Sequence, residues 1–295
     1  PALQRGTAAC QAGEPSGLMP ETSLRIRMNK IILTLSVLMA VFFRPAEAGA
    51  ASFAVTSPWV GFIASFISGD TKNVRYLSNW DNSGNVVKTA SPRSGEVVIA
   101  IDAKDAENFR IKRNNKNLRL LYEEVPMTRE QLRSAFFDPA MLPFIAQSVM
   151  RIMAEEDKGR YTYFQRRLAE FQSKIESTID IGKHLLGSTK MLDITGAEGT
   201  WIRSSITGAV RPPAPVWEKW KAGDTTALKA ALDEAQRRNW LILMDPWTPD
   251  IIRAAATGYE YRLTLPPPAK DQDYFVFLHD IFLTIWNKAK NVKTK

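Results

Sequence analysis

Residues 138–180, DPAMLPFIAQSVMRIMAEEDKGRYTYFQRRLAEFQSKIESTID, carry the longest helical pattern in the chain. Leu142, Ile145, Ala146, Val149, Met150 and Met153 recur at spacings of three and four, which places them on one face of an α-helix. The pattern resumes at Tyr161 and runs through Phe164, Leu168, Phe171 and Ile175, with a break at Asp157-Lys158-Gly159. Such a stretch in mid-chain predicts a long helix connecting one lobe before it to another after it.

The preceding segment reads as α/β. Residues 52–56 (SFAVT) form a short β-rich run, and Ser57-Pro58 opens a helix with apolar residues at 59, 60, 62, 63, 66 and 67. Residues 73–77 (NVRYL) predict a second strand, and residues 78–94, rich in Asn, Ser, Gly and Pro, a loop. Residues 96–101 (EVVIAI) have the near-continuous apolar character of a parallel strand covered on both faces. Residues 118–125 (LRLLYEEV) read as the last strand of this lobe, and Thr128 as the cap of a short helix.

The following segment repeats that composition. Residues 190–194 (KMLDI), 240–244 (WLILM) and 261–265 (YRLTL) predict strands. Between them lie the Pro-rich loop of residues 211–215 and a helix over residues 225–238, and residues 274–292 predict a terminal helix with a broad apolar face. The fold class expected is therefore α/β, two lobes with small mostly parallel sheets joined by a long backbone helix.

The N-terminal region has a different character. From Met28 the chain reads MNKIILTLSVLMAVFFRPAEAGA, with a basic Lys30, an apolar run over residues 31–43 and the small-x-small triplet Ala46-Glu47-Ala48. That is the grammar of a secretory signal cleaved near Ala48 or Ala50. The apolar run falls short of the roughly 20 residues that span a bilayer as a helix, so no membrane span is expected after cleavage. The organisation expected is upstream, unstructured sequence at 1–27, a signal peptide at 28–48, an N-terminal lobe at 49–137, the connecting helix at 138–180 and a C-terminal lobe at 181–295. The single cysteine, Cys10, falls in the upstream part, so disulfides and thiolate chemistry are not expected of the periplasmic product. The formal net charge of +8 is scattered along the chain, which argues against a nucleic-acid surface.

In this order the pieces resemble the periplasmic solute-binding proteins of zinc- and manganese-type ABC transporters, two α/β lobes on one rigid helix. The segment AVTSPWVGFIASFISGDTKNVRYL is similar to the family's first strand, helix and second strand. FFDPAMLPFIAQSVMRIMAEEDKGRYTYFQRRLAEFQSKIES resembles its backbone helix, ILMDPWTPDIIRAAATGYE its penultimate strand and helix, and DQDYFVFLHDIFLTIWNKAK its last helix. The resemblance implies a cleft metal held by imidazoles and a carboxylate, yet the chain contains two histidines. Ser134 stands where the family has a ligand histidine before the connecting helix, and Gly196 where it has another, with Glu198 nearby. The loop of Asn79, Trp80 and Asp81 has no histidine either. Asp245 alone matches a family metal ligand.

His184, in IGKHLLG, and His279, inside FVFLHDIFL, lack partners at metal-site spacing and read as structural. Met150 and Met153, with Met141 upstream, read as core filler rather than soft ligands. No phosphate loop, GxSxG elbow or HExxH helix is present, and no enzyme activity is expected. No zinc or manganese cofactor site of the usual type is expected; any other cofactor stays open.

Open α/β sheets bind ligands at the carboxyl ends of their strands. On that rule the candidate ligand-binding residues are Ser57, Trp59, Asn79, Trp80, Asp81, Ser134, Gly196, Glu198, Asp245 and Trp247, with Asp245, Glu198 and the loop around Asp81 facing one crevice. The function expected is a monomeric periplasmic solute-binding protein, partnered by an inner-membrane ABC permease, that holds a different ligand or a metal complex. The alternative is a structural or accessory protein partnering a periplasmic enzyme or transporter, with Trp217 and Trp220 as contact surface.

Overall fold

The computed structural model describes residues 51–269 and 272–293; the expected signal peptide and Cys10 lie outside the described residues. Strand β1 (Phe53–Val55) is buried along its whole length and leads into helix α1 (Pro58–Ser68). Pro58 fits the first turn of α1, where its missing N–H costs nothing, and Gly69 ends the helix at φ 69°. A side chain at Gly69 would collide with the Tyr163 hydroxyl, so the position requires glycine twice over. α1 is apolar on nearly all sides because it is packed between its own sheet and the central helices.

Next come β2 (Val74–Tyr76), the antiparallel pair β3 (Ser78–Trp80) and β4 (Val86–Lys88), β5 (Val97–Ala100), helix α2 (Ala103–Asn108), β6 (Leu118–Leu120) and helix α3 (Arg129–Ala135). The first sheet has the order β2-β1-β5-β6 and is parallel throughout, with Phe53 opposite Val74 on one side and Val97 on the other. Residues 78–94, expected as loop, contain the β3–β4 hairpin; its Asx turn at Asp81 explains the turn-rich composition that hid it. The strand expected over 118–125 stops at Leu120, and Thr128 caps α3 in a reciprocal capping box with Gln131.

The central helix is α4 (Leu142–Glu156) followed by α5 (Tyr161–Leu186), separated at the expected place by a single 3₁₀ turn over Lys158–Arg160. The second lobe runs β7 (Met191–Asp193), α6 (Gly199–Ser205), β8 (Ala209–Val210), α7 (Ala214–Lys221), α8 (Thr225–Arg237), β9 (Leu241–Met244), α9 (Asp250–Ala255), β10 (Arg262–Thr264) and α10 (Tyr274–Lys293). Its sheet, also parallel, has the order β10-β9-β7-β8. The Pro-rich stretch leads directly into α7, with Pro213 in the cap position and a proline in the first turn.

Strand alternation divides the core. Phe53, Val55, Val97, Ile99, Leu241 and Leu243 face the central helices, where they join Phe164, Phe171, Tyr274 and Phe282 in one large cluster. Ala54, Val98 and Ala100 turn to the outer face of the first sheet against Phe109 and Ile111, while Ile242 and Met244 turn to the outer face of the second against Trp217 and Trp220. Two α/β lobes with small parallel sheets on a long helix are thus the architecture, as the sequence predicts.

Candidate functional site

In each sheet the direction in which strands are added reverses once. After β1 the chain adds β2 on one side and β5 on the other; after β7 it adds β8 on one side and β9 on the other. The crevices beyond β1 and β5, and beyond β7 and β9, are therefore the two switch points of the fold.

The second switch point is closed by its own residues. Asp245, at the end of β9, is fully buried, and its Oδ1 accepts from the Gly196 N–H at 2.8 Å, the Trp247 N–H at 3.0 Å and the Thr248 hydroxyl at 3.0 Å. Its Oδ2 accepts from the N–H groups of Ala197 at 2.7 Å and Glu198 at 3.1 Å. A carboxylate offers about four lone-pair sites, so this one is spent on stitching the β7 and β9 loops together. Gly196 makes the stitch possible, because a Cβ there would strike the Trp247 carbonyl. Asp193 is buried as well and pairs with Arg203 at 2.6 Å and Arg211 at 3.2 Å. Glu198 is fully buried, with neither oxygen hydrogen-bonded among the described residues; burial first, then the charges of Asp245 and Asp193, push its carboxyl well above the ordinary range.

Beside Asp245 the lobes meet through aromatic rings. Trp59 lies 4.8 Å from Trp80, 5.1 Å from Phe137 and 5.6 Å from Trp247, centroid to centroid. The Trp247 indole N–H donates at 2.9 Å to the carbonyl of Gly84, at the tip of the β3–β4 hairpin, and the Arg133 guanidinium lies 5.4 Å from a Trp247 ring.

The expected site residues consequently do not gather in one crevice. Glu198 and Asp245 are sealed in the second lobe, and Trp247 is held in the aromatic contact. Asn79 and Trp80 line a second cavity, of about 420 Å³, with Arg75 and Tyr76. Asp81 serves the hairpin turn, accepting from Ser83 and Asn85, and the Asn85 backbone hydrogen bond leads in holding its carboxyl below the usual range. Ser134 and Gly196 line a third, wide cavity between the lobes, which the Lys221–Glu130 ion pair at 3.1 Å bridges.

Ser57 and Trp59 line a cavity of about 500 Å³ at the first switch point. Thr56 and Ser78 supply further hydroxyls, and Trp59, Phe109 and Phe136 supply apolar wall. Lys88, Lys104, Arg129 and Arg133 also line it, brought together from β4, α2 and α3. Its two acids are engaged: Asp102 caps α2 by accepting from the Asp105 N–H at 2.8 Å, and Asp105 accepts from the Thr56 hydroxyl and from the Ile101 N–H at 3.0 Å. Burial raises the Asp105 carboxyl above its ordinary value. Sequence reading named Ser57 and Trp59 by the strand-end rule but missed the four cations, since their separation along the chain leaves no local signal.

No protein-family model matches the chain, and no curated protein matches its sequence. Solved structures do match. ZnuA aligns over 81% of this chain and 99% of its own at 17% identity and TM-score 0.56. A Cd-bound periplasmic metal binding protein from Candidatus Liberibacter asiaticus aligns over 81% and 99% at 11% identity and TM-score 0.52. The SBP FpvC from Pseudomonas aeruginosa, in complex with Mn2+, aligns over 82% and 98% at 13% identity and TM-score 0.50. The fold is that of the periplasmic metal-binding proteins.

Within this metal-receptor fold the donor set of the chain does not fit a His-coordinated divalent ion. Asp245 has its oxygens engaged by five donors, and His184, at the end of α5, contacts the Asp180 carbonyl through Nδ1 at 2.8 Å. Among the described residues no three His, Cys, Asp or Glu side chains stand together as a metal group, and no helix is long and apolar enough to cross a membrane.

Proposed function

We propose that the chain is a periplasmic solute-binding protein, without catalytic activity, that delivers a small organic solute to an ABC permease and holds it at the first switch point. The observation that carries this reading is the state of Asp245: its hydrogen bonds consume the carboxylate that would ligate metal, while an open cavity of about 500 Å³ lies at the other switch point. That volume is within the roughly 300–1,000 Å³ typical of small-molecule sites, and its mixture of apolar wall and a few polar groups suits an organic molecule. A thermal-shift screen of organic solutes against zinc and manganese tests the reading. A true ligand at a hundred times its Kd stabilises the fold by about 2.7 kcal/mol. Stabilisation by zinc or manganese and by no organic solute would refute the proposal.

The second reading, an accessory protein that partners a periplasmic enzyme or transporter, is favoured by the contacts between the lobes. The Trp247–Gly84 hydrogen bond, the Trp59–Trp247 ring contact and the Lys221–Glu130 pair already tie the lobes together and oppose an opening motion between them. Trp217 and Trp220 do not provide its contact surface, however, since both are buried against β7, β9 and α8. A permease and an ATPase encoded beside this chain support transport; a neighbouring enzyme operon supports the accessory role.

A further inference from the structure

The α1 amino terminus opens on the first-switch-point cavity. Pro58 has no N–H, and the first-turn N–H groups of Trp59 and Val60 have no carbonyl one turn earlier within the helix. Ser57 in the cap position makes no side-chain capping bond; the residue is 7% exposed and lines the cavity, and its hydroxyl makes no hydrogen bond among the described residues. A helix start of this kind favours negative charge through its dipole and its unused donors.

The charges around the cavity agree with that polarity. Among the described residues none of Lys88, Lys104, Arg129 and Arg133 has a carboxylate within ion-pair distance. Lys88 and Arg133 lie instead against rings, 5.2 Å from the centroid of Phe109 and 5.4 Å from that of Trp247. Asp102 and Asp105 are engaged by backbone N–H groups and Thr56 and make no direct ion pair with the basic residues; Asp105 acts on Arg129, and Asp245 and Glu130 act on Arg133, only through space. Burial lowers the Arg133 guanidinium from its usual value, the mark of a desolvated cation whose charge an incoming anion would offset.

We infer that the solute carries an oxyanion, a carboxylate or a phosphate, bound by the Ser57 hydroxyl and the α1 amino terminus and neutralised by Arg133, Arg129, Lys104 and Lys88. The inference rests on the reading that a solute occupies this cavity, and it adds the chemical class.

The test is calorimetric titration of the full chain with inorganic phosphate, succinate, glucose and choline, at low and at high salt. Lys104 and Arg129 are exposed, so K104Q/R129Q leaves the packing undisturbed, and S57A and R133Q probe the inner groups. Phosphate or succinate should bind the wild type, lose affinity with salt, and bind at least tenfold more weakly to K104Q/R129Q and to R133Q. Anion binding unchanged in K104Q/R129Q would place the anion elsewhere and overturn the inference. Glucose or choline binding without any anion binding would overturn the anion class while leaving a solute-binding role standing. Binding by none of the four probes would count against both.

Discussion

Glu198 shows how the second switch point differs from a ligand site. A buried carboxyl with no hydrogen-bond partner among the described residues resists ionisation in the fold, whereas the unfolded chain ionises it above about pH 4.3. The folded value is raised, so the stability this group contributes is complete below the unfolded value and declines as pH rises towards the folded one. A tenfold difference in proton affinity between the two states amounts to about 1.36 kcal/mol. Glu198→Gln should therefore stabilise the chain near neutral pH and flatten the loss of stability between pH 5 and 8. Urea unfolding of both proteins across that range reads this out, and parallel pH slopes would show that Glu198 is ionised in the fold. Asp245→Asn should behave in the opposite way. It sets an amide NH2 against the backbone N–H groups of residues that now donate to a carboxylate, and about 2–4 kcal/mol of stability should be lost on chemical denaturation. A stable Asp245→Asn protein would mean that the carboxylate does not hold the two loops.

The β3–β4 hairpin decides the state of the cleft at the next scale. Its tip sits on Trp247 through the Gly84 carbonyl, and Gly84 has φ 77°, with the space for a Cβ already taken by Pro246 at 2.9 Å. Gly84→Ala should lift the tip from the second lobe and cost about 1–2 kcal/mol, while Trp247→Phe should remove one hydrogen bond worth about 1 kcal/mol. Amide exchange in residues 81–88 should rise in both variants; unchanged protection would mean that the hairpin holds its place without that contact. This hairpin was not legible in the sequence, because Asn, Ser and Gly at an Asx turn look like any loop. Helices α2 and α6, 6 and 7 residues long, are likewise too short to show a period. The strands and the α4–α5 pair were legible, since buried β-branched runs and a long apolar stripe leave few alternatives.

At the scale of the whole molecule, sequence order and the two parallel sheets agree with the fold of ZnuA and its structural relatives, and the residues within that fold determine what can be bound. The sequence contains two histidines, and only the resemblance assigns family ligand positions to Ser134 and Gly196. That Asp245 is a structural residue was not readable from the sequence, since its role is set by backbone N–H groups from a loop about fifty positions away. The basic lining of the first switch point was equally hidden, because only the strand order brings β4, α2 and α3 to one crevice. Asp245 accepts from four backbone N–H groups and shares the Thr248 hydroxyl with the Ile194 carbonyl, and the proposal of an organic solute at the other switch point depends on this carboxylate's being occupied by those donors rather than by a metal. Calorimetric titration of the purified chain with zinc is the decisive check: no saturable uptake near one equivalent is the predicted result, and one zinc bound at micromolar Kd or tighter would contradict it.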